Sequence, residues 1–213
     1  MKTEELVSIL ATGLEPVDTG RARRRLRLAW TAGMLASVVL LAGGLRFNPA
    51  LSREALVPMF WVRAAFCASL ALLAVVAVGR LGRPGTRLGL VPAGLALPVL
   101  VMGLLAVGAL LDAPVGHRGP LILGATARSC PWLIALQAAP LFLALLWAMR
   151  NVAPTRLRLA GAATGLAAGA GGALVYTLHC PELAAPFLSV WYVLGMLIPA
   201  ALGAALGPRL LRW

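Results

Sequence analysis

The 213-residue sequence is 61% hydrophobic and only 12% charged, far below the roughly 25% charged residues of a soluble domain, which excludes an ordinary water-soluble globular protein. A helix needs about 20 apolar residues to cross a bilayer, so the length accommodates roughly six spans and no sizeable soluble domain. The formal charge of +12 lies in arginine clusters between long uncharged runs, a pattern of membrane topology rather than of direct nucleic-acid binding.

Residues 1 to about 27 form a polar arm, expected to be retained because it lacks the early apolar core of a signal peptide. Thr3 is placed to cap a short helix led by Glu4 and Glu5, in which Leu6, Ile9, Leu10 and Leu14 make one apolar stripe before Gly13 and Pro16 end it. Helices this short are marginal alone, so the arm gains structure by docking. Its acids disfavour an anionic membrane surface and favour a protein partner.

Uncharged runs then fall at about 28–45, 59–79, 88–111, 132–149, 159–178 and 188–206, which predicts an all-α polytopic bundle of six transmembrane helices over 28–206, short loops and a tail at 207–213. Arginines 21, 23, 24, 25 and 27, then Arg80, Arg83 and Arg87, then Arg150, Arg156 and Arg158, and finally Arg209 and Arg212 all fall on one side. The other side carries only Arg46, Arg53, Arg118 and Arg128. The positive-inside rule therefore predicts that both termini are cytoplasmic.

Phe60 with Trp61, Trp132, and Trp191 with Tyr192 are expected to anchor helices at the outer interface, and Trp30 and Trp213 at the inner one. Arg63 is the basic residue inside an apolar run, two positions after Trp61, and is expected to snorkel outward to the headgroups. In the fifth span Gly161, Gly165, Gly169 and Ala173 recur every fourth residue, and Gly203 and Gly207 repeat the spacing in the sixth. Such ridges let helix backbones approach closely, so their expected role is packing. Pro92, Pro98, Pro140 and Pro199 are positioned to kink their helices.

Three cysteines are present. Cys130 lies in Ser129-Cys130-Pro131-Trp132 and Cys180 in His179-Cys180-Pro181-Glu182, both at the outer ends of predicted spans, while Cys67 lies deeper and reads as packing. Three outcomes stay open for the outer pair: a structural disulfide, inert thiols, or a redox or metal-responsive pair. In the last case a transient soft-metal ion at Cys130 and Cys180 would draw on His179 as a nitrogen donor and on Glu182 as a ligand or a supporting carboxylate. No cofactor is required. His117, in a Pro/Gly-rich stretch, reads as a solvated loop residue.

The sequence contains no Walker loop, HExxH, G-x-S-x-G or dinucleotide fingerprint, and no acid inside a span, which argues against an enzyme and against an ion pathway.

The acidic-apolar arm, Phe60-Trp61-Val62-Arg63, Cys130-Pro131, Ala153-Pro154-Thr155-Arg156, and Leu178-His179-Cys180-Pro181-Glu182 occur in order. They are followed by Ala185-Pro186-Phe187, Val190-Trp191-Tyr192 and Gly207-Pro208-Arg209. In this combination the chain resembles the NrsF family of six-span membrane anti-sigma factors. The resemblance implies an inner-membrane protein whose N-terminal arm holds an extracytoplasmic-function sigma factor. It further implies that the outer cysteines, here Cys130 and Cys180, take part in sensing heavy-metal or oxidative stress. A small transporter or channel, for instance for a soft metal, is the alternative. The inducing signal and the oligomeric state stay open.

Overall fold

A computed structural model describes residues 3–5, 19–83, 85–152 and 154–212. The principal helices are α1 (Thr19–Leu40, extended by a π turn at Leu41–Leu45), a short α2 (Leu51–Glu54), α3 (Pro58–Leu81), α4 (Val91–Asp112) and α5 (Val115–Leu123). They continue with α6 (Cys130–Met149), α7 (Leu157–Tyr176), a short α8 (Ala185–Phe187) running through a π turn at Leu188–Tyr192, and α9 (Val193–Leu210). Six of the resulting segments are long and apolar enough to cross a membrane: Gly20–Leu45, Pro58–Leu81, Val91–Asp112, Cys130–Met149, Leu157–Tyr176 and Ala185–Leu210.

Two boundaries differ from the sequence expectation. The first helix is described from Thr19, so Arg21 through Arg27, which the sequence places in the arm, are helical and continuous with the first span. The stretch around His117 forms α5, although His117 itself is exposed; a Gly/Pro-rich composition hid that helix. Residues 3–5 are helical with Glu4 and Glu5 exposed, whereas Leu6, Ile9, Leu10 and Leu14 lie outside the described residues.

Proline punctuates these helices in two ways. Pro58, Pro92 and Pro131 occupy first turns, where no intrahelical partner is lost, so Pro92 starts α4 instead of kinking it. Pro98, Pro140 and Pro199 lie inside α4, α6 and α9.

α7 is the centre of the bundle and packs on α9, α3 and α6. In its most apolar window 72% of residues are buried, against 11% for α4, which lies at the periphery. Glycine makes the α7–α9 contact possible. A Cβ on Gly161 would stand 2.0 Å from the Gly203 carbonyl oxygen, one on Gly165 1.9 Å from that of Pro199, and one on Gly207 2.4 Å from that of Leu157. Gly169 is similarly closed by Met196. With hydrocarbon on the outside, association rests on such backbone-to-backbone packing rather than on exclusion of water.

α1 joins the bundle through α6. The Ser37 hydroxyl donates to the Gln137 carbonyl oxygen at 2.9 Å, and the Gln137 side-chain amide donates back to the Ser37 carbonyl oxygen. Both residues are fully buried. At the same helix pair's other end the Arg25 guanidinium stacks 4.1 Å from the Trp147 ring centroid. Trp30 is partly buried and packs against the core. Trp213 lies outside the described residues.

Candidate functional site

The site forms where three connections meet at one end of the bundle: residues 46–57, 113–129 and 177–184. α7 ends at Tyr176, and the chain turns through residues 177–179 before Pro181. A helix end leaves carbonyl groups without intrahelical partners. Those of Ala173 to Tyr176 accept from N–H groups of residues 177–180, while Arg63, on the first turns of α3, serves the connection itself: its guanidinium donates to the carbonyl oxygens of Thr177 (2.9 Å), Cys180 (2.8 Å) and Glu182 (2.7 Å).

Arg63 is fully buried. It does not snorkel to the headgroups, because the returning loop covers α3 and offers it three carbonyls at the negative end of the α7 dipole. Glu54 lies 3.7 Å from the guanidinium, and its other oxygen accepts from Asn48 Nδ2 at 2.7 Å. The Phe60 ring lies 5.3 Å from the guanidinium carbon. Arg63 Nε and Glu54 Oε2 are buried without a hydrogen bond among the described residues.

This clamp positions Cys180. Cys130 opens α6 with Pro131 in the first turn, so its backbone needs no partner within the helix and its side chain faces the 177–184 loop. Both cysteines are fully buried, free and in one apolar cluster with Cys67, Tyr176 and Tyr192. The thiols of Cys130 and Cys180 face one another within this cluster, with Tyr176 beside both. The neighbouring Cys130 thiol holds the Cys180 thiol below its ordinary range against the opposing effect of burial, aided by the Glu182 backbone N–H and the Arg63 charge. Replacing Cys130 with alanine removes the largest of these influences. The ultraviolet thiolate absorbance of Cys180 is therefore expected to grow in at higher pH in Cys130→Ala than in the parent; an unchanged midpoint would refute the thiol-to-thiol coupling.

His179 and Glu182 tie the loop to its neighbours. His179 Nδ1 lies 2.8 Å from the Arg46 carbonyl oxygen, next to the Asn48 N–H to Leu178 carbonyl bond. Glu182 Oε1 accepts from the Ala125 N–H at 2.7 Å and sits 3.5 Å from the Thr126 hydroxyl. Gly124, at φ 54°, admits that carboxylate: a Cβ there would meet it at 2.7 Å. Among the described residues no three His, Cys, Asp or Glu side chains are grouped to hold a metal. The donor set in contact is two sulfurs, which fits a two-coordinate soft ion rather than a tetrahedral centre.

Tyr192 corrects another expectation. The π turn at Leu188–Tyr192 adds a residue to the helical register, and Tyr192 is turned from the interface into the cluster, fully buried, where it also helps to lower the Cys180 thiol. Its ring lies 6.0 Å from that of Tyr176. Trp191 is half-buried and donates to the Ile122 carbonyl oxygen at 2.8 Å, while Trp61 and Trp132 are exposed. Sequence reasoning placed Tyr192 at the interface, read Cys67 as packing and assigned no role to Tyr176. A charge within a span is the usual mark of a site, and Cys67, four residues after Arg63 on the same helix face, is the signal that was legible.

The family model described as "Negative regulator of sigma F" matches residues 10–213. The chain belongs to the NrsF family. It is 48% identical over 213 residues to the "Probable anti-sigma-F factor NrsF" of Azospira oryzae, covering all of both chains. It is 38% identical over 221 residues to the "Anti-sigma-F factor NrsF" of Caulobacter vibrioides, again covering all of both. No solved structure matches significantly. NrsF membership together with six apolar helices makes this a multi-pass protein of the inner membrane and a regulator rather than an enzyme.

Proposed function

We propose that the protein is an anti-sigma factor that holds an extracytoplasmic-function sigma factor through its cytoplasmic arm, residues 1 to about 27, and releases it when Cys130 and Cys180 react in the periplasm. The observation that carries the sensing half is the contact of two thiols, one depressed below its ordinary range, on elements that lead in different directions through the bundle. The names of the two relatives support the sequestering half. Both termini are cytoplasmic in this reading because the arginine clusters lie at the end opposite the thiols.

Two reactions suit the pair. Oxidation forms an S–S bond, with two electrons passing to an oxidant and two protons leaving the thiols. Binding of a soft divalent ion instead displaces those protons and joins the sulfurs through the metal. Either replaces a thiol-to-thiol contact with one of different length and charge, and so biases any two arrangements of α6 and the 177–184 loop. α6 carries the change to α1 through the reciprocal Ser37 and Gln137 bonds, and α1 continues directly into the arm.

The test is co-purification from the native membrane in mild detergent, before and after exposure to an oxidant or cadmium. The intact chain is expected to retain a sigma factor until treatment, and a chain lacking residues 1–20 to retain none. Cys130→Ser and Cys180→Ser are expected to retain it under both conditions. Release from both serine variants at the parental level would remove the thiols from the mechanism, and equal absence of a sigma factor with and without the arm would remove the sequestering role.

A further inference from the structure

We propose that the arginine-rich end of the bundle contains a binding site for one anionic phospholipid. Two adjoining cavities carry this inference. The larger, about 400 Å³, lies between α1, α3 and α6 and has apolar walls that include Leu26, Val76, Gly79 and Met149, with Arg23, Arg80 and Arg83 at its rim. The smaller, about 190 Å³, is lined by Arg83, Arg87, Thr86, Thr155 and Arg156. Arg83 and Thr86 line both, so an apolar trough runs into a cationic cup.

The shapes and charges match the two parts of a lipid. Val76 is exposed on the bundle surface, so the trough opens toward the hydrocarbon, where an acyl chain is available without leaving the bilayer. The cup lies beyond the end of α3, at headgroup depth. Among the described residues no acidic side chain lines either cavity. Arg80 is partly engaged by the Leu88 carbonyl, but the side chains of Arg83, Arg87 and Arg156 make no hydrogen bond or ion pair among the described residues. Three guanidinium groups at one cup, with no counter-ion among the described residues, call for a phosphate, and the trough beside them selects a phosphate bearing tails. A soluble phosphate ester would use the cup alone.

The position of the site gives it a further meaning. Ala22, Arg23 and Leu26, which line the trough, belong to the first turns of α1, at the C-terminal end of the arm. An occupied site fixes the base from which the arm projects.

Native mass spectrometry of the full-length protein, with phosphatidylglycerol or phosphatidylcholine added to the detergent, tests this. The parent is expected to retain phosphatidylglycerol in preference to phosphatidylcholine. Each basic residue near an anionic headgroup contributes roughly fivefold in affinity, so the triple variant Arg83→Gln, Arg87→Gln, Arg156→Gln should lose about a hundredfold. A matched variant, Arg21→Gln, Arg24→Gln, Arg158→Gln, removes the same charge from exposed arginines of the same end that line neither cavity, and is expected to bind like the parent. Gly79→Phe tests the trough independently: a Cβ there meets nothing within 4 Å, so the ring fills the trough without disturbing the arginines, and retention should fall. Equal loss in the matched variant would reduce the site to diffuse surface charge. Parental binding by Gly79→Phe, or full competition by glycerol 3-phosphate, would overturn the lipid assignment.

Discussion

Gly165→Ala is expected to destabilise the bundle by more than about 3 kcal/mol, the upper range for overpacking, because the added methyl group has nowhere to go. Its carbon would stand 1.9 Å from the Pro199 carbonyl oxygen and 2.5 Å from the carbonyl carbon. A flexible side chain in the way could rotate aside, whereas backbone in the way forces the two helices apart. Separation by even an ångström or so forfeits dispersion contacts along the seam, including those at Gly161 and Gly203, where each glycine faces the other's carbonyl. The comparison is Gly103→Ala or Gly108→Ala in α4, where a methyl group meets nothing within 4 Å. There the substitution should be neutral or stabilise by about 0.5–1 kcal/mol through the better helix propensity of alanine. Unfolding in mixed micelles of increasing SDS content measures both. Equal stability of Gly165→Ala and Gly103→Ala would mean that α7 and α9 do not meet as described.

Arg63→Met should release the loop that bears Cys180. The substitution preserves much of the aliphatic volume but removes the donors to three carbonyl oxygens and leaves the Glu54 carboxylate, 3.7 Å away, without its cation. Removing one partner of a buried pair costs about 3–5 kcal/mol. Much of that cost falls on local opening of residues 177–184, since the clamp holds this segment. Cys180 is fully buried in the intact protein, so its alkylation by N-ethylmaleimide requires such opening. At 1.4 kcal/mol per tenfold, the alkylation rate should rise by about a hundredfold or more in Arg63→Met. Cys67, held in the middle of α3 rather than by the loop, should remain slow and serves as the internal control. Arg63→Lys should give an intermediate rate, because a single ammonium cannot reproduce the planar fork that reaches all three carbonyls. A parental Cys180 rate in Arg63→Met would show that the loop is held by other contacts.

Arg63 also explains how a charge survives at the end of an apolar helix. Glu54 provides a carboxylate 3.7 Å away, and three carbonyl oxygens of the connection that follows α7 accept directly from the guanidinium. Its charge also adds, behind the larger influence of Cys130, to the depression of the Cys180 thiol. The same guanidinium that orders residues 177–184 favours the thiolate, the form that attacks oxidants and binds soft metals.

What the sequence determined by itself is the part of the protein governed by local composition and periodicity. Six long apolar runs require six helices in a bilayer, because no other structure within one segment satisfies its backbone there. Glycines at every fourth residue lie on one face of a helix whatever its neighbours, so Gly161, Gly165 and Gly169 were legible as a ridge. The ordered Cys-Pro, His-Cys-Pro-Glu and Trp-Tyr motifs sufficed for the family. Tertiary structure alone decided which groups meet. Cys130 and Cys180 come together because α6 begins where the α7–α9 connection folds back. Arg63 is buried because that connection covers it. Tyr192 faces inward because a single π turn rotates the register by about 100°. Each of these depends on segments far apart in the chain, and the free carbonyls, covered charge and extra helical residue that produce them leave no periodic signal.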